Sequence, residues 1–241
     1  MRELNELTDV ADPAWPEVLA MVDACSIPVA VPAADPGESR RGLLQLQVTA
    51  RSMLGAVTLN CGGLVLDDGW VRVYGGGSGR DGALPSLARV NEFPATFDPG
   101  WRPPAGLVVG HDVLGGVFAL NGADPAAEGR PGEPGQMTYF APDSLEWEAL
   151  GVGHSAWLSW LLGGDVAGFY SRLRWGGWRE DAAAATFEQG INHFPPLWSK
   201  EAHDDLDATS RKAVPMREVL GLAADAARQF GSADPGFLGT V

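Results

Sequence analysis

The stretch LVLDDGWVRVYGGGSGRDG, residues 64–82, decides the class of the fold. Two apolar runs, 64–66 and 70–74, flank Asp67-Asp68-Gly69, and an Asp-Gly turn between two such runs is typical of a β-hairpin. No β-α-β unit repeats along the chain, so we expect the strands to form an antiparallel sheet.

The glycines that follow this hairpin have the spacing of a dinucleotide-binding loop, Gly77-x-Gly79-x-x-Gly82. Such a loop must open a helix, and Pro85 disfavours a continuing helix here. The acidic residue that should end a strand about 20 positions later is absent, because Asp98 lies in a turn. The sequence therefore predicts a connecting loop and no cofactor.

Two more strand pairs follow, at 107–109 with 117–120 and at 137–140 with 145–150, and residues 122–135 form a polar loop between the pairs. Apolar periodicity and start signals predict several helices. They are expected at 12–22, 35–47, 53–60, 86–91, 154–162, 165–173, 177–185 and 215–230.

These elements predict an α+β fold with a central, mainly antiparallel sheet of hairpins and flanking helices. We expect a single domain over residues 1–241, helical in 1–60, β-rich in 61–150 and helical in 151–241.

The composition is strongly acidic, with 31 acidic and 17 basic residues and a formal net charge of −14. Such a surface repels nucleic acid and attracts basic proteins. No segment has the pattern of a signal peptide or the roughly 20 apolar residues of a membrane span. We therefore expect a cytoplasmic protein with no nucleic-acid or membrane partner, and its oligomeric state stays open.

Acid-base chemistry has four candidates in the sequence: His111, Asp112, Asp143 and Glu146. His111 and Asp112 are adjacent, but neighbouring residues of a strand point to opposite faces, so the two cannot readily act together in regular β structure. In a turn either could still line a pocket, and turn structure is favoured over catalysis. No pair of histidines has the i,i+4 spacing of a helical zinc site, so no metal is expected.

Aromatic and basic residues provide the candidates for a binding surface. Trp157 and Trp160 share one helix face, and Arg174 lies beside Trp175 and Trp178. Such a cluster either packs in the core or lines a groove, where Trp and Arg are common binding hot spots. The remaining candidates are Trp70, Arg72, Arg80 and His111 for a partner, and Arg211, Lys212 and Arg217 for an anion.

Several segments in order resemble the bacterial family named domain of unknown function 2625. They are DPAWPEV (12–18), LQVTARSMLGAV (46–57), GGLVLDDGWVRVYGGGS (62–78), LGGVFALNG (114–122), YFAPDSLEWEALGVGHSAWLSWLLGGD (139–165), LRWGGW (173–178) and SRKAVPMRE (210–218). The resemblance extends from about residue 3 to residue 230. It implies no particular activity.

A looser similarity links GLVVGHDVLGGVFALNG, residues 106–122, to the SUKH superfamily of α+β domains. Many of those domains bind and neutralise toxins. The similarity implies a SUKH-like fold and a non-catalytic binding module of the immunity type, with a basic toxin as its partner. The alternative is a small-molecule metabolic enzyme that uses the carboxylate and histidine candidates.

Overall fold

The computed structural model describes residues 1–79, 84–103 and 105–241. Within these ranges a seven-stranded antiparallel sheet has its strands in chain order, and a second sheet has two strands. The first sheet contains β1 (Val29–Ala30), β2 (Gly63–Leu66), β3 (Val71–Tyr74), β4 (Gly106–Asp112), β5 (Val117–Asn121), β6 (Gln136–Ala141) and β7 (Glu146–Gly153). The second contains β8 (Gln189–Phe194) and β9 (Ser210–Pro215). The predicted α+β class and antiparallel sheet are confirmed.

Helices precede, interrupt and follow the main sheet. They are α1 (Leu4–Thr8), α2 (Trp15–Ala24), α3 (Pro36–Leu46), α4 (Met53–Asn60), α5 (Leu87–Val90), α6 (His154–Leu162), α7 (Val166–Phe169), α8 (Trp178–Ala184), α9 (Lys200–Asp204) and α10 (Met216–Phe230). None of the helices in the described ranges is both long and apolar enough to cross a lipid bilayer.

The β2–β3 hairpin has the turn that its sequence predicts. Leu66 pairs with Val71, and residues 67–70 connect them. Asp67, Asp68 and Gly69 of this connection have φ angles of 52°, 58° and 94°. Asp and Gly tolerate this left-handed conformation better than most residues. The turn sequence therefore fixes where the hairpin reverses.

The glycines after β3 allow backbone segments to approach closely. Gly75, Gly76 and Gly77 are buried. The N–H of Gly76 donates to the Cys61 carbonyl at 2.8 Å, and the N–H of Gly77 donates to the Gly62 carbonyl at 2.9 Å. This part of the loop thus packs on the end of α4 instead of standing free, and residues 80–83, including the candidate Arg80, lie outside the described residues.

Side-chain caps begin α3, at the predicted Asp35, and α4, whereas α2 begins at Trp15 without a side-chain cap and not at the predicted residue 12. The Asp35 carboxylate accepts the N–H groups of Gly37 and Glu38 at the start of α3, and Ser52 accepts that of Gly55 in α4. These bonds satisfy backbone donors that have no partner within the helix.

The region 151–241 differs from its helical prediction, because it contains the β8–β9 sheet. The two strands are joined by a connection of 15 residues, 195–209, that includes α9. No short turn signals such a pairing, and their sequences QGINHF and SRKAVP lack a clean apolar alternation. Helix α7 is also shorter than the predicted 165–173.

Other parts of the chain cover both faces of the main sheet. On one face, the cross-strand partners Phe118 and Tyr139 contact Trp157 of α6 and Phe169 of α7. On the other, the C-terminal segment 234–241 crosses several strands. The Trp147 indole donates to the Pro235 carbonyl, and the His111 ring hydrogen-bonds the Leu238 carbonyl.

We expect Gly75→Ala to lower the free energy of unfolding by about 1–3 kcal/mol or more, because a Cβ here would lie 2.5 Å from the Cys61 carbonyl oxygen. Urea unfolding measures this change. The matched control is Gly221→Ala in α10, where a Cβ meets nothing within 4 Å and helix propensity should add about 0.5–1 kcal/mol. Equal effects of the two substitutions would contradict the close packing of the loop.

Candidate functional site

The Asp112 carboxylate is fully buried and accepts four hydrogen bonds. One oxygen accepts the N–H groups of Leu114 and Gly116 at 2.9 and 2.8 Å, and the other accepts the hydroxyls of Tyr139 and Tyr170 at 2.6 and 3.0 Å. Burial raises the pKa of Asp112, and these hydrogen bonds oppose the shift. The carboxylate thus holds the β4–β5 turn against β6 and the end of α7.

His111 lies on the opposite face of β4 and has partners of its own. Its Nδ1 is 2.8 Å from the Tyr74 hydroxyl, and its Nε2 is 2.7 Å from the Leu238 carbonyl oxygen. The carbonyl can only accept, so Nε2 carries the proton and Nδ1 accepts from Tyr74. Burial is the main cause that lowers the pKa of His111 to about 4.

The four acid-base candidates do not converge on one site. His111 and Asp112 are both 0% exposed and point away from each other, as their separate partners show. Asp143 lines a small cavity with Arg172 and His203, whereas Glu146 lines a different cavity beside Trp147. The hydrogen bonds of His111 and Asp112 are structural, and their side chains point apart as the strand alternation predicts.

A cluster of aromatic rings and one arginine packs around the β2–β3 turn. Its members are Trp70, Tyr170, Arg174, Trp175 and Trp178. Trp70 is 0% exposed, and its ring centroid lies 5.5, 5.6 and 5.0 Å from those of Tyr170, Trp175 and Trp178. The Arg174 guanidinium lies 4.0 Å from the centre of the Trp178 ring. Trp175 is 3% exposed, so the alternative that the sequence leaves open is resolved for it in favour of the core, and Trp70 is a core residue as well.

A buried ion pair completes this cluster. Asp67 is 0% exposed and pairs with Arg174, whose side chain is 11% exposed, while the half-exposed Arg179 reaches Asp67 at 3.4 Å. Burial lowers the pKa of Arg174, and Asp67 raises it. Charge and aromatic packing together join the hairpin turn to the segment between α7 and α8.

Arg72 and Trp157 are also 0% exposed. Arg72 donates from Nη1 to the carbonyls of Gln189 at 2.6 Å and Phe187 at 3.2 Å, which ties β3 to the start of β8. A buried side chain offers no surface to a partner, so the predicted contact role is wrong for Trp70, Arg72, His111 and Trp157 in this fold. Trp160 and Trp178 are half-buried.

The three anion candidates are dispersed. Arg211 lies 5.2 Å from the Trp175 ring centre and 3.9 Å from Asp181, so it belongs to the packed cluster. Lys212 in β9 and Arg217 in α10 are exposed. The basic run thus supplies one structural cation and two surface charges.

The exposed edge of the main sheet carries carboxylates. Glu146 and Glu148 are exposed in β7, and Asp143 is half-buried in the turn before it. Partial burial raises the pKa of Glu148, and repulsion from Asp143 and Glu146 adds to the shift. The three groups form one region of negative charge, which we name the β7 acidic edge.

The family model for a protein of unknown function, DUF2625, matches residues 4–219. The chain belongs to the DUF2625 family. It is 34% identical over 219 residues to the uncharacterized protein YbfG of Escherichia coli (strain K12), covering 91% of this chain and 94% of that protein. An uncharacterized protein of Haemophilus influenzae is 32% identical over 197 residues, or 82% of this chain and 83% of its own length. No solved structure is significantly similar to this chain.

The structure of this DUF2625 protein also identifies residues that the sequence reasoning missed. Tyr139 and Tyr170 hold Asp112 from positions 27 and 58 residues away, and Arg130 is buried within the predicted polar loop. No local spacing signals these partners. An arginine in a Gly- and Pro-rich loop gives no sign from sequence alone that it is buried.

We expect Arg174→Ala to lower the free energy of unfolding by about 3–5 kcal/mol, because it leaves the buried Asp67 carboxylate without its nearest cation. The matched control is Arg179→Ala, which removes a half-exposed cation from the same carboxylate and should cost less than about 1 kcal/mol. Chemical denaturation of both variants measures the difference. Similar losses would show that Asp67 depends equally on both arginines.

We expect the free energy of unfolding to fall as the pH drops from about 6.5 to about 4. Burial lowers the pKa of His111 and His154 to about 4, so in this window the unfolded chain binds protons that the folded chain excludes. Each such histidine contributes about 1.4 kcal/mol per pH unit to the slope. Denaturant unfolding at a series of pH values measures it.

His154→Gln should reduce this slope by about 1.4 kcal/mol per pH unit, the contribution of one buried histidine, because burial is what lowers the pKa of His154. His203→Gln, at an exposed position, is the control and should leave the slope unchanged. A slope that responds to neither substitution would refute the role of the buried histidines.

Proposed function

We propose that the protein is a non-catalytic binding module that presents the β7 acidic edge to a basic protein partner. The observation that carries the proposal is an eight-residue edge strand, largely exposed, that bears two carboxylates next to a third. At the opposite edge, β1 has only two residues.

The backbone of β7 supports recognition by strand addition. β7 pairs with β6 on one side, and no described strand pairs with its other side. An extended peptide can add to such an edge through main-chain hydrogen bonds, while side chains determine specificity. The register shifts between Ala149 and Gly153, so the regular part available for pairing is Glu146–Ala149.

The charges indicate the chemistry of the partner. Asp143, Glu146 and Glu148 repel one another, and a cation placed among them would relieve that repulsion. The formal net charge of −14 extends the attraction beyond contact distance and favours fast association with a basic surface.

A toxin-neutralising role is the more specific form of this proposal. The similarity of residues 106–122 to SUKH domains suggests it, and an acidic surface suits basic toxins. The same segment forms β4, β5 and their turn, which are buried. The partner would therefore contact the β7 acidic edge, and residues 106–122 would have a structural role in the sheet.

We expect Glu146→Gln/Glu148→Gln to weaken capture of a basic partner by about tenfold at low ionic strength, because the variant loses two charges that steer and hold the partner. The measurement is quantitative mass spectrometry of proteins crosslinked to the purified chain in a lysate of its host. The partner is defined as the basic protein that the wild type enriches.

The control is Glu201→Gln/Glu218→Gln, which removes two exposed carboxylates from α9 and α10 and changes the net charge equally. It should retain capture. Equal losses in both variants would mean that net charge alone matters, and undiminished capture by the β7 variant would exclude this edge as the binding surface.

A further inference from the structure

Arg130 is buried in a chain rich in carboxylates, yet it pairs with none of the described ones. It is 3% exposed, and no described carboxylate lies within 4 Å of its guanidinium. Buried charges in proteins are normally paired, since an isolated one loses its hydration without compensation. The chain has 31 acidic residues, so the lack of a partner for Arg130 does not reflect a shortage of carboxylates.

The guanidinium is held in place but not satisfied. Its Nη2 donates to the Phe237 carbonyl at 3.0 Å, and its carbon lies 4.0 Å from the centre of the Trp147 ring. Nε and Nη1 are buried without a hydrogen-bond partner among the described residues. Burial lowers the pKa of Arg130 to about 10, against a weaker opposing effect of Glu128. Three of the five N–H bonds of the side chain belong to these two nitrogens.

A cavity of about 370 Å³ lies beside this side chain. Its walls include Arg130, Pro131, Leu145, Glu146, Trp147 and Ala233. The volume is within the usual range for a small ligand, and so is the combination of apolar walls with a few polar groups. Arg130 is the cation among these wall residues and is buried, whereas the carboxylate-bearing Glu146 is exposed, so the part of the ligand that reaches Arg130 should be anionic.

We propose that this cavity binds a small organic carboxylate. The unpaired Nε and Nη1 have almost no accessible surface in this structure, so the Arg130 guanidinium pairs with the carboxylate group by turning toward the cavity. The apolar part of the ligand packs against Leu145, Pro131 and the Trp147 ring. A charge-assisted bond from a buried arginine is among the stronger hydrogen bonds in proteins. This site recognises an anion through Arg130 and does not rest on the proposed partner of the β7 acidic edge, although Glu146 borders both.

The test is a titration of the full chain with small anions, in which heteronuclear NMR monitors the indole N–H of Trp147. That N–H donates to the Pro235 carbonyl at 3.0 Å, so it reports on the wall of the cavity. The probes are hexanoate and benzoate as free carboxylates, inorganic phosphate, and acetyl-Ala-Ala-Phe with a free or an amidated C-terminus. We expect the free carboxylates to shift this resonance saturably.

The peptide pair distinguishes two sources of the same group. Binding of both the free acids and the free-terminus peptide would support a site open to a chain end, and binding of the free acids alone would support a metabolite site. Binding of the amidated peptide as tightly as the free one would overturn the proposal, as would phosphate binding without carboxylate binding.

Two variants separate a ligand-binding role from a structural one. Arg130→Met should weaken hexanoate binding at least about tenfold. It should leave the midpoint of thermal unfolding without ligand unchanged or higher, because it removes an uncompensated buried charge. Arg217→Met, at an exposed position, controls for the lost charge and should bind normally.

Glu146→Gln keeps the fold testable if Arg130→Met does not fold. It removes a negative charge from the cavity wall and should tighten hexanoate binding by a few-fold. Unchanged binding in a folded Arg130→Met variant, or no saturable shift with any carboxylate at about 10 mM, would overturn the proposal. If Arg130→Met does not fold, unchanged binding in Glu146→Gln would overturn it.

Discussion

The hydrogen bonds of the Asp112 carboxylate are the constraint on which the rest of the fold depends. One carboxylate joins the β4–β5 turn, strand β6 and the end of α7, which are distant in sequence. Gly116 is part of this arrangement, since a Cβ there would lie 2.0 Å from one carboxylate oxygen and 2.4 Å from the Tyr139 hydroxyl. A buried carboxylate is tolerated here because all four donors are in place.

Two more buried polar groups join parts of the fold in the same manner. Asp67 and Arg174 connect the β2–β3 turn to the segment before α8, and Arg72 connects β3 to β8. Asp67 and Arg174 compensate each other's charge, whereas Arg72 donates to the carbonyls of Phe187 and Gln189. A register slip of β2 against β3 would separate these groups from their partners inside an apolar interior. Buried charged groups with specific partners therefore favour one strand register over the alternatives. Charges on the surface would have little effect of this kind.

The sequence predicted those parts of the fold whose signals are local. Hairpins were visible through their turns, and α6 was predicted at 154–162 as observed, because apolar spacing and turn chemistry act within a few residues. The β8–β9 pairing and the short α1 and α9 were missed because they depend on packing against distant segments. Residue type alone does not separate a binding role from a structural one: His111 and Trp70 have the residue types of binding sites, and only their burial shows their structural role.

The burial of the aromatic core has a consequence for the optical behaviour of the protein. The chain has three tyrosines, and burial raises the pKa of Tyr74, Tyr139 and Tyr170 alike. Above about pH 10 the unfolded chain releases phenolic protons that the folded chain retains, so stability falls as the pH rises further. Tyrosinate absorbance should therefore emerge together with unfolding, which makes the phenols an intrinsic reporter of the alkaline transition.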